Sequence, residues 1–220
     1  MKNILLLLIV LVLLSACASY KLENKKVKLK DIKNLAYFEP LSYVNLINKD
    51  NTISPSDSLS ILSKLILDSV INKYQKFNVS NKIIINDAET QLKIYKDLNY
   101  MIEKIMHYKD ISNIKLSPAI DSVLKLNNQR FALASVITGL SFGHTNTKNY
   151  KKRVSDNNLS LDNYDPIPIL PISTLFAVII DAERGEIIFY DHTIPVKKSP
   201  TANSVLKNQY HKLFKGYYHK

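Results

Sequence analysis

Phe131-Ala-Leu-Ala-Ser-Val-Ile-Thr-Gly-Leu140 is the run on which the reading of the fold turns. It is almost uniformly apolar and lacks the alternation of a half-exposed strand, which predicts a strand buried on both faces. Downstream, Ile172 to Ile180 is the most strand-like stretch of the chain. Asp181-Ala-Glu-Arg-Gly185 supplies a turn with Gly at a left-handed position, and Glu186 to Ile194 returns. A β-hairpin over 172–194 is the prediction.

Working outward, residues 34–47 carry Leu35, Tyr37, Leu41, Tyr43, Val44, Leu46 and Ile47, a β-prone set interrupted near Pro40. Ser54-Pro55-Ser56-Asp57 opens a helix whose apolar positions, Leu59, Leu62, Leu65, Ile66, Val70 and Tyr74, recur at helical spacing to about Lys76. Lys82 to Ile85 reads as a short strand. Asn86 and Glu89 can form a capping-box variant for a second helix with Leu92, Tyr95, Leu98, Ile102, Ile105 and Met106 on its apolar face. Ser117-Pro118 starts a short helix through Leu126. Ser199-Pro200 starts a last one, bearing Val205, Leu206, Tyr210, Leu213 and Phe214. Residues 141–168 are polar and read as a long loop. The order β-α-β-α-α-β-β-β-α predicts one α/β domain over 34–220, with a mixed sheet and flanking helices.

The N-terminus carries a different kind of signal. Met1-Lys2-Asn3 precedes an unbroken apolar run from Ile4 to Leu14, followed by Leu14-Ser15-Ala16-Cys17. The run suits the core of a secretory signal and falls short of the roughly 20 residues a membrane span needs. Leu14 to Cys17 resembles the bacterial lipobox, in which an apolar residue and two small residues precede an obligatory cysteine. The resemblance implies a signal peptide over 1–16, cleavage before Cys17, and a thioether to diacylglycerol on its thiol. An uncleaved membrane helix with a chance cysteine and a secretory signal cut elsewhere are the competing readings. Two or more acyl chains give stable anchoring where one is marginal. Ala18 follows the cysteine where, in the enterobacterial pattern, an Asp would direct retention at the inner membrane; by resemblance this implies the outer membrane, facing the periplasm. Residues 17–33, polar and lysine-rich, read as a lipidated cysteine and tether.

Composition narrows the chemistry. The chain is 46% hydrophobic and 22% charged, ordinary for a globular domain. It has four glycines and neither a Gly-rich dinucleotide loop nor a Walker-type loop. Cys17 is the sole cysteine, so disulfides and cysteine-based metal sites are excluded from the mature domain. The formal charge of +11 concentrates in Lys21 to Lys33 and in the stretch after Asp191, which has no carboxylate. A solvated, lysine-rich surface is the plain reading of this charge; as partners, an exported protein favours anionic lipid headgroups or wall polymers over nucleic acid.

Two pieces taken in order resemble a known group. A strand near Ala36–Ile47 leads to a polar break and a long helix, and the buried strand 131–140 leads to Ala177-Val-Ile-Ile-Asp-Ala-Glu-Arg-Gly-Glu-Ile-Ile-Phe189. This arrangement is similar to periplasmic lipoproteins with an anticodon-binding-like α/β domain, a group that includes the curli secretion lipoprotein and lipoprotein activators of peptidoglycan synthases. The resemblance implies action through protein contacts in assembly or regulation of an envelope machine, with no catalytic site.

Two patterns favour catalysis instead. Gly139-Leu-Ser141-Phe-Gly143 matches the Gly-x-Ser-x-Gly nucleophile elbow, with Asp156, Asp162, Asp165, Asp181 and then His192 downstream in the order a hydrolase uses. Asp191-His192 with His144 can form an acid-base or metal site if the fold converges them. The five histidines (His107, His144, His192, His211, His219) include no His-x-x-x-His pair, so a helical zinc site has no support. The elbow must enter a helix at once, and His144-Thr-Asn-Thr-Lys-Asn-Tyr lacks apolar periodicity. The expectation is thus a non-catalytic, lipid-anchored envelope protein without cofactor or metal; a serine hydrolase centred on Ser141 and a binder of anionic polymers are the alternatives.

Overall fold

In a computed structural model, the described residues are 21–23, 32, 34–73, 79–143 and 169–215. Phe131–Phe142 (β6) is the central strand, and burial on both of its faces is what its sequence demands. Leu133 and Ile137 enter one apolar cluster while Ala132, Ala134 and Val136 enter the other. On one side β6 pairs antiparallel with Ile172–Asp181 (β7), which pairs antiparallel with Glu186–His192 (β8). Gly185 takes φ +64° in the turn, the left-handed position anticipated for it.

On its other side β6 runs parallel to two consecutive strands, Leu35–Tyr37 (β2) and Leu41–Ile47 (β3). Tyr37 faces Leu133 and Leu41 faces Val136, so the outer strand spends one residue more than β6 between them. That extra residue falls in Phe38-Glu39-Pro40, where proline has no N–H to give a ladder. The interruption expected near Pro40 is therefore real, and it divides the stretch into two strands. Ile53–Pro55 (β4) pairs antiparallel with β3, and Val79–Lys82 (β5) pairs parallel with β2. The expected strand 82–85 lies three residues earlier, because the ladder ends where Ile83 N donates to Tyr37 O and Asn127 brackets Ile84. Leu22–Glu23 (β1) pairs antiparallel with β8, within the segment expected to be tether.

Helices cover both faces, making the α/β domain with a mixed sheet that the sequence predicts. Asp57–Lys73 (α1) and Asn203–Phe214 (α4) pack on the Leu133 face. Ala88–Tyr108 (α2) and Pro118–Leu126 (α3) pack on the Ala132 face. Ser117 caps α3 as expected, accepting from Ile120 N with Pro118 in the first turn. The cap of α2 is Asp87, not Asn86, its carboxylate accepting from Thr90 N at 2.6 Å. Its buried face comprises Ile94, Leu98, Met101, Ile102 and Ile105, so Leu92 and Met106, expected inside, are outside. The start of α4 also differs: Ser199-Pro200-Thr201 forms a turn, and the helix begins at Asn203.

Candidate functional site

Ser141 lies inside β6, paired opposite Leu46 of β3, and is almost fully buried. A nucleophile elbow needs a sharp, strained strand-to-helix turn that presents the hydroxyl. Here the backbone stays extended through Phe142, which corrects the elbow reading and moves the start of the polar loop past 142. The Ser141 hydroxyl meets Ser199 Oγ at 2.6 Å, Thr201 Oγ1 at 3.4 Å and Phe142 O at 3.2 Å. These partners are hydroxyls and a carbonyl, so the group joins β6 to the turn before α4.

The glycine of the same pattern has its own cause. A Cβ on Gly139 would collide with the Ile172 carbonyl oxygen and come within 3.1 Å of Pro200 Cγ. Only glycine allows so close an approach.

Asp191 and His192 are consecutive in β8, and consecutive strand residues point to opposite faces. His192 stacks on Phe176, with ring centroids 5.5 Å apart, and contacts Tyr190; both aromatics belong to the α2/α3 face. Burial pushes its imidazole below the ordinary histidine range. Burial likewise raises the Asp191 carboxyl, to about 6, against smaller lowering effects from the His192 N–H and Lys21. The two groups therefore work in separate environments.

Asp181 has no exposed surface. Arg130 Nε and Nη2 donate to its two oxygens at 3.1 and 3.0 Å, and Glu183 N donates as well. This forked pairing fastens the β7–β8 turn to the start of β6. His107 ends α2 edge-on to Tyr108, and His211 lies on α4. Cys17, His144, Asp156, Asp162, Asp165, His219, the signal peptide and most of the tether and polar loop lie outside the described residues. Among the described residues no group of three or more His, Cys, Asp or Glu is placed to hold a metal, and no helix is long and apolar enough to cross a membrane.

Two polar constellations escaped the sequence reading. Glu39, at the break between β2 and β3, accepts from Tyr95 Oη at 2.7 Å and from Lys82 Nζ at 3.0 Å, with Lys64 Nζ at 3.3 Å. Burial alone would raise its carboxyl, but the Tyr95 and Lys82 hydrogen bonds and the Lys64 and Lys82 charges outweigh it and hold it at about 2. Lys82 also reaches Asp68 on α1, so the cluster ties helices on opposite faces through the sheet edge. The second constellation is buried: Gln209 of α4 bonds Ser173 and Thr193 beside β7. Their partners are up to 56 residues apart in sequence, so no linear spacing announces them.

No known family model matches the chain, and no curated protein sequence is similar to it. Among solved structures it is similar to the PelC dodecamer from Paraburkholderia phytofirmans at 7% identity and a TM-score of 0.41, covering 91% of this chain and 96% of that one. A point variant of that PelC dodecamer gives the same identity, TM-score and coverage of this chain, with 98% of its own length covered. A likeness of that extent assigns neither partner nor assembly here.

Proposed function

We propose that the chain is an exported lipoprotein, anchored through Cys17 to the outer membrane on its periplasmic side. In this reading it acts without catalysis, by binding another protein of a cell-envelope machine. The lipobox-like run Leu14-Ser15-Ala16-Cys17 behind an apolar signal core carries the proposal. The side chains flagged for catalysis support it. Ser141 serves a hydroxyl joint inside a strand, Asp181 fastens a hairpin, and Asp191 and His192 face opposite ways. Labelling cells with radioactive palmitate should mark the protein, and Cys17→Ala should abolish the label; an unchanged label would remove the anchor. Crosslinking in intact cells followed by mass spectrometry should then recover a protein partner, and recovery only as an uncomplexed chain would remove the contact role.

A second reading, direct binding of anionic wall or lipid polymers, draws on Lys197, Lys198, Lys207, Lys212 and Lys215. All five are exposed, in a stretch without a carboxylate. Retention on such polymers that vanishes at high salt would support it, since exposed charges are screened within about 8 Å at physiological ionic strength.

A further inference from the structure

The pairing of β1 sets the direction in which the chain meets the domain from the side of Cys17. Leu22 pairs with Tyr190 and Glu23 with Phe189, antiparallel. The chain before Leu22 therefore heads toward the His192 end of β8, not toward the Gly185 turn. Four residues lie between Leu22 and Cys17, five Cα steps with a reach of at most about 18 Å when fully extended. Through Tyr190 and Val178, Leu22 stands level with Ala134 of β6, so the chain before it points along the longer part of the sheet, toward its Phe142 end.

Strand pairing brings several loops to that same end. His192 faces Phe176 at the middle of β7 and, beyond it, Val196 bridges Ser173, while Leu140 faces Ile172 and Ile47 faces both Phe142 and Ile53. Ile169 N donates to Asn51 Oδ1, joining the approach to β7 with the β3–β4 turn. Across this end three aliphatic side chains stand in solvent: Ile194 at 74% exposure, Ile53 at 48% and Leu170 at 40%. Exposed Lys49, Lys197 and Lys198 lie among them. Of the nearby carboxylates, Asp50 bonds Thr52 within its own turn and keeps its charge, Asp57 is exposed at the start of α1, and Asp191 is half-buried. Aliphatic tips ringed by lysines match the boundary between headgroups and acyl chains of an anionic bilayer.

We infer that this end of the sheet, presenting Ile53, Leu170 and Ile194 among Lys49, Lys197 and Lys198, docks on the lipid surface into which Cys17 is anchored. The inference rests on the anchoring proposed above. It turns the opposite end, with the β7–β8 turn and the close of α3, toward the periplasm and any protein partner.

The lipidated full chain makes a clean test, because acylation consumes the only native thiol. Ile194→Cys and Leu170→Cys each then add a single labelling site, and Leu126→Cys gives an exposed apolar control (81%) at the opposite end. Each variant carries an environment-sensitive fluorophore in vesicles of phosphatidylcholine and phosphatidylglycerol containing a lipid-borne quencher. Quenching at 194 and 170 should exceed that at 126 by about threefold or more, and Lys197→Glu with Lys198→Glu should reduce the difference. Equal quenching at all three sites, stronger quenching at 126, or no quenching on a chain that still floats with the vesicles overturns the docking. The Cys17→Ala chain separates the two ideas: it should not float, and flotation without Cys17 would overturn the anchor itself.

Discussion

Gln209 offers the sharpest test of how α4 is held to the sheet. Its side chain is 1% exposed on α4. Its amide nitrogen donates to Ser173 O at 2.9 Å and to Thr193 Oγ1 at 3.0 Å, while its carbonyl accepts from Ser173 Oγ at 2.8 Å. Thr193 Oγ1 in turn accepts from Leu175 N, so the amide completes a chain of bonds along the edge of β7. Each bond contributes about 1 kcal/mol net, and orphaned buried partners cost more than the bond itself gave. Truncation also opens a cavity. Gln209→Ala should therefore cost about 3–4 kcal/mol, a large share of the 5–15 kcal/mol typical of a whole domain. With a urea m-value of about 2 kcal/mol per molar, that is a fall in midpoint of roughly 1.5–2 M. Gln209→Leu restores most of the volume but none of the bonds and should still cost about 2 kcal/mol. Ser173→Ala should then cost less in the Gln209→Leu background than alone, a coupling of about 1 kcal/mol. Urea titrations followed by circular dichroism measure all four chains. A Gln209→Leu protein within about 0.5 kcal/mol of the parent would refute the reasoning, because apolar volume alone would then hold α4 in place.

Two carboxylates should give opposite pH slopes. The Glu39 carboxyl is lowered from 4.5 to about 2, so its contribution is complete above pH 4.5 and lost as pH falls toward 2; Glu39→Gln should flatten that acid limb in urea midpoints. The Asp191 carboxyl is raised from 3.8 to about 6, so the fold is favoured below pH 3.8 and loses ground as pH rises through 6. Asp191→Asn should accordingly raise the midpoint at pH 7 and leave it little changed at pH 3. Gly139→Ala should destabilise by about 2–3 kcal/mol, since the new methyl meets the Ile172 carbonyl; a parent-like melting temperature would contradict that contact. A fluorophosphonate probe should leave Ser141 unmodified in the folded chain, as read by peptide mapping, because its hydroxyl is buried and bonded to Ser199.

The fold was legible where burial has a period. β6 read as a doubly buried strand because both of its faces are covered, β7 read as the most strand-like stretch, and the turn at Gly185 had to be glycine or strained. The α3 cap and the α4 face were equally plain. Legibility failed where a tertiary partner displaced a local preference. Ile83 to Ile85 is more β-prone than Val79 to Lys82, yet the ladder forms on the earlier residues because that is where β2 offers free edge. Ser199-Pro200 looks like a helix start, but Ser199 spends its hydroxyl on Ser141 and Thr201, so α4 waits until Asn203.

The Gly-x-Ser-x-Gly pattern shows why a local motif can mislead about chemistry. In an elbow the three positions wrap a sharp turn, and the glycines make room for a helix to leave the strand. In a continuous strand the same spacing has period two, so Gly139 and Ser141 share one face of β6. At these two positions that face is covered by a single turn: Pro200 lies over Gly139, while Ser199 and Thr201 meet Ser141. A small residue is needed where Ile172 and Pro200 press closest, and a short hydroxyl where a polar turn must be satisfied without water. Close packing of a turn over a strand thus selects the same residue types that catalysis would. What separates the cases is the backbone after Ser141, and here it stays in register with β3 through Phe142.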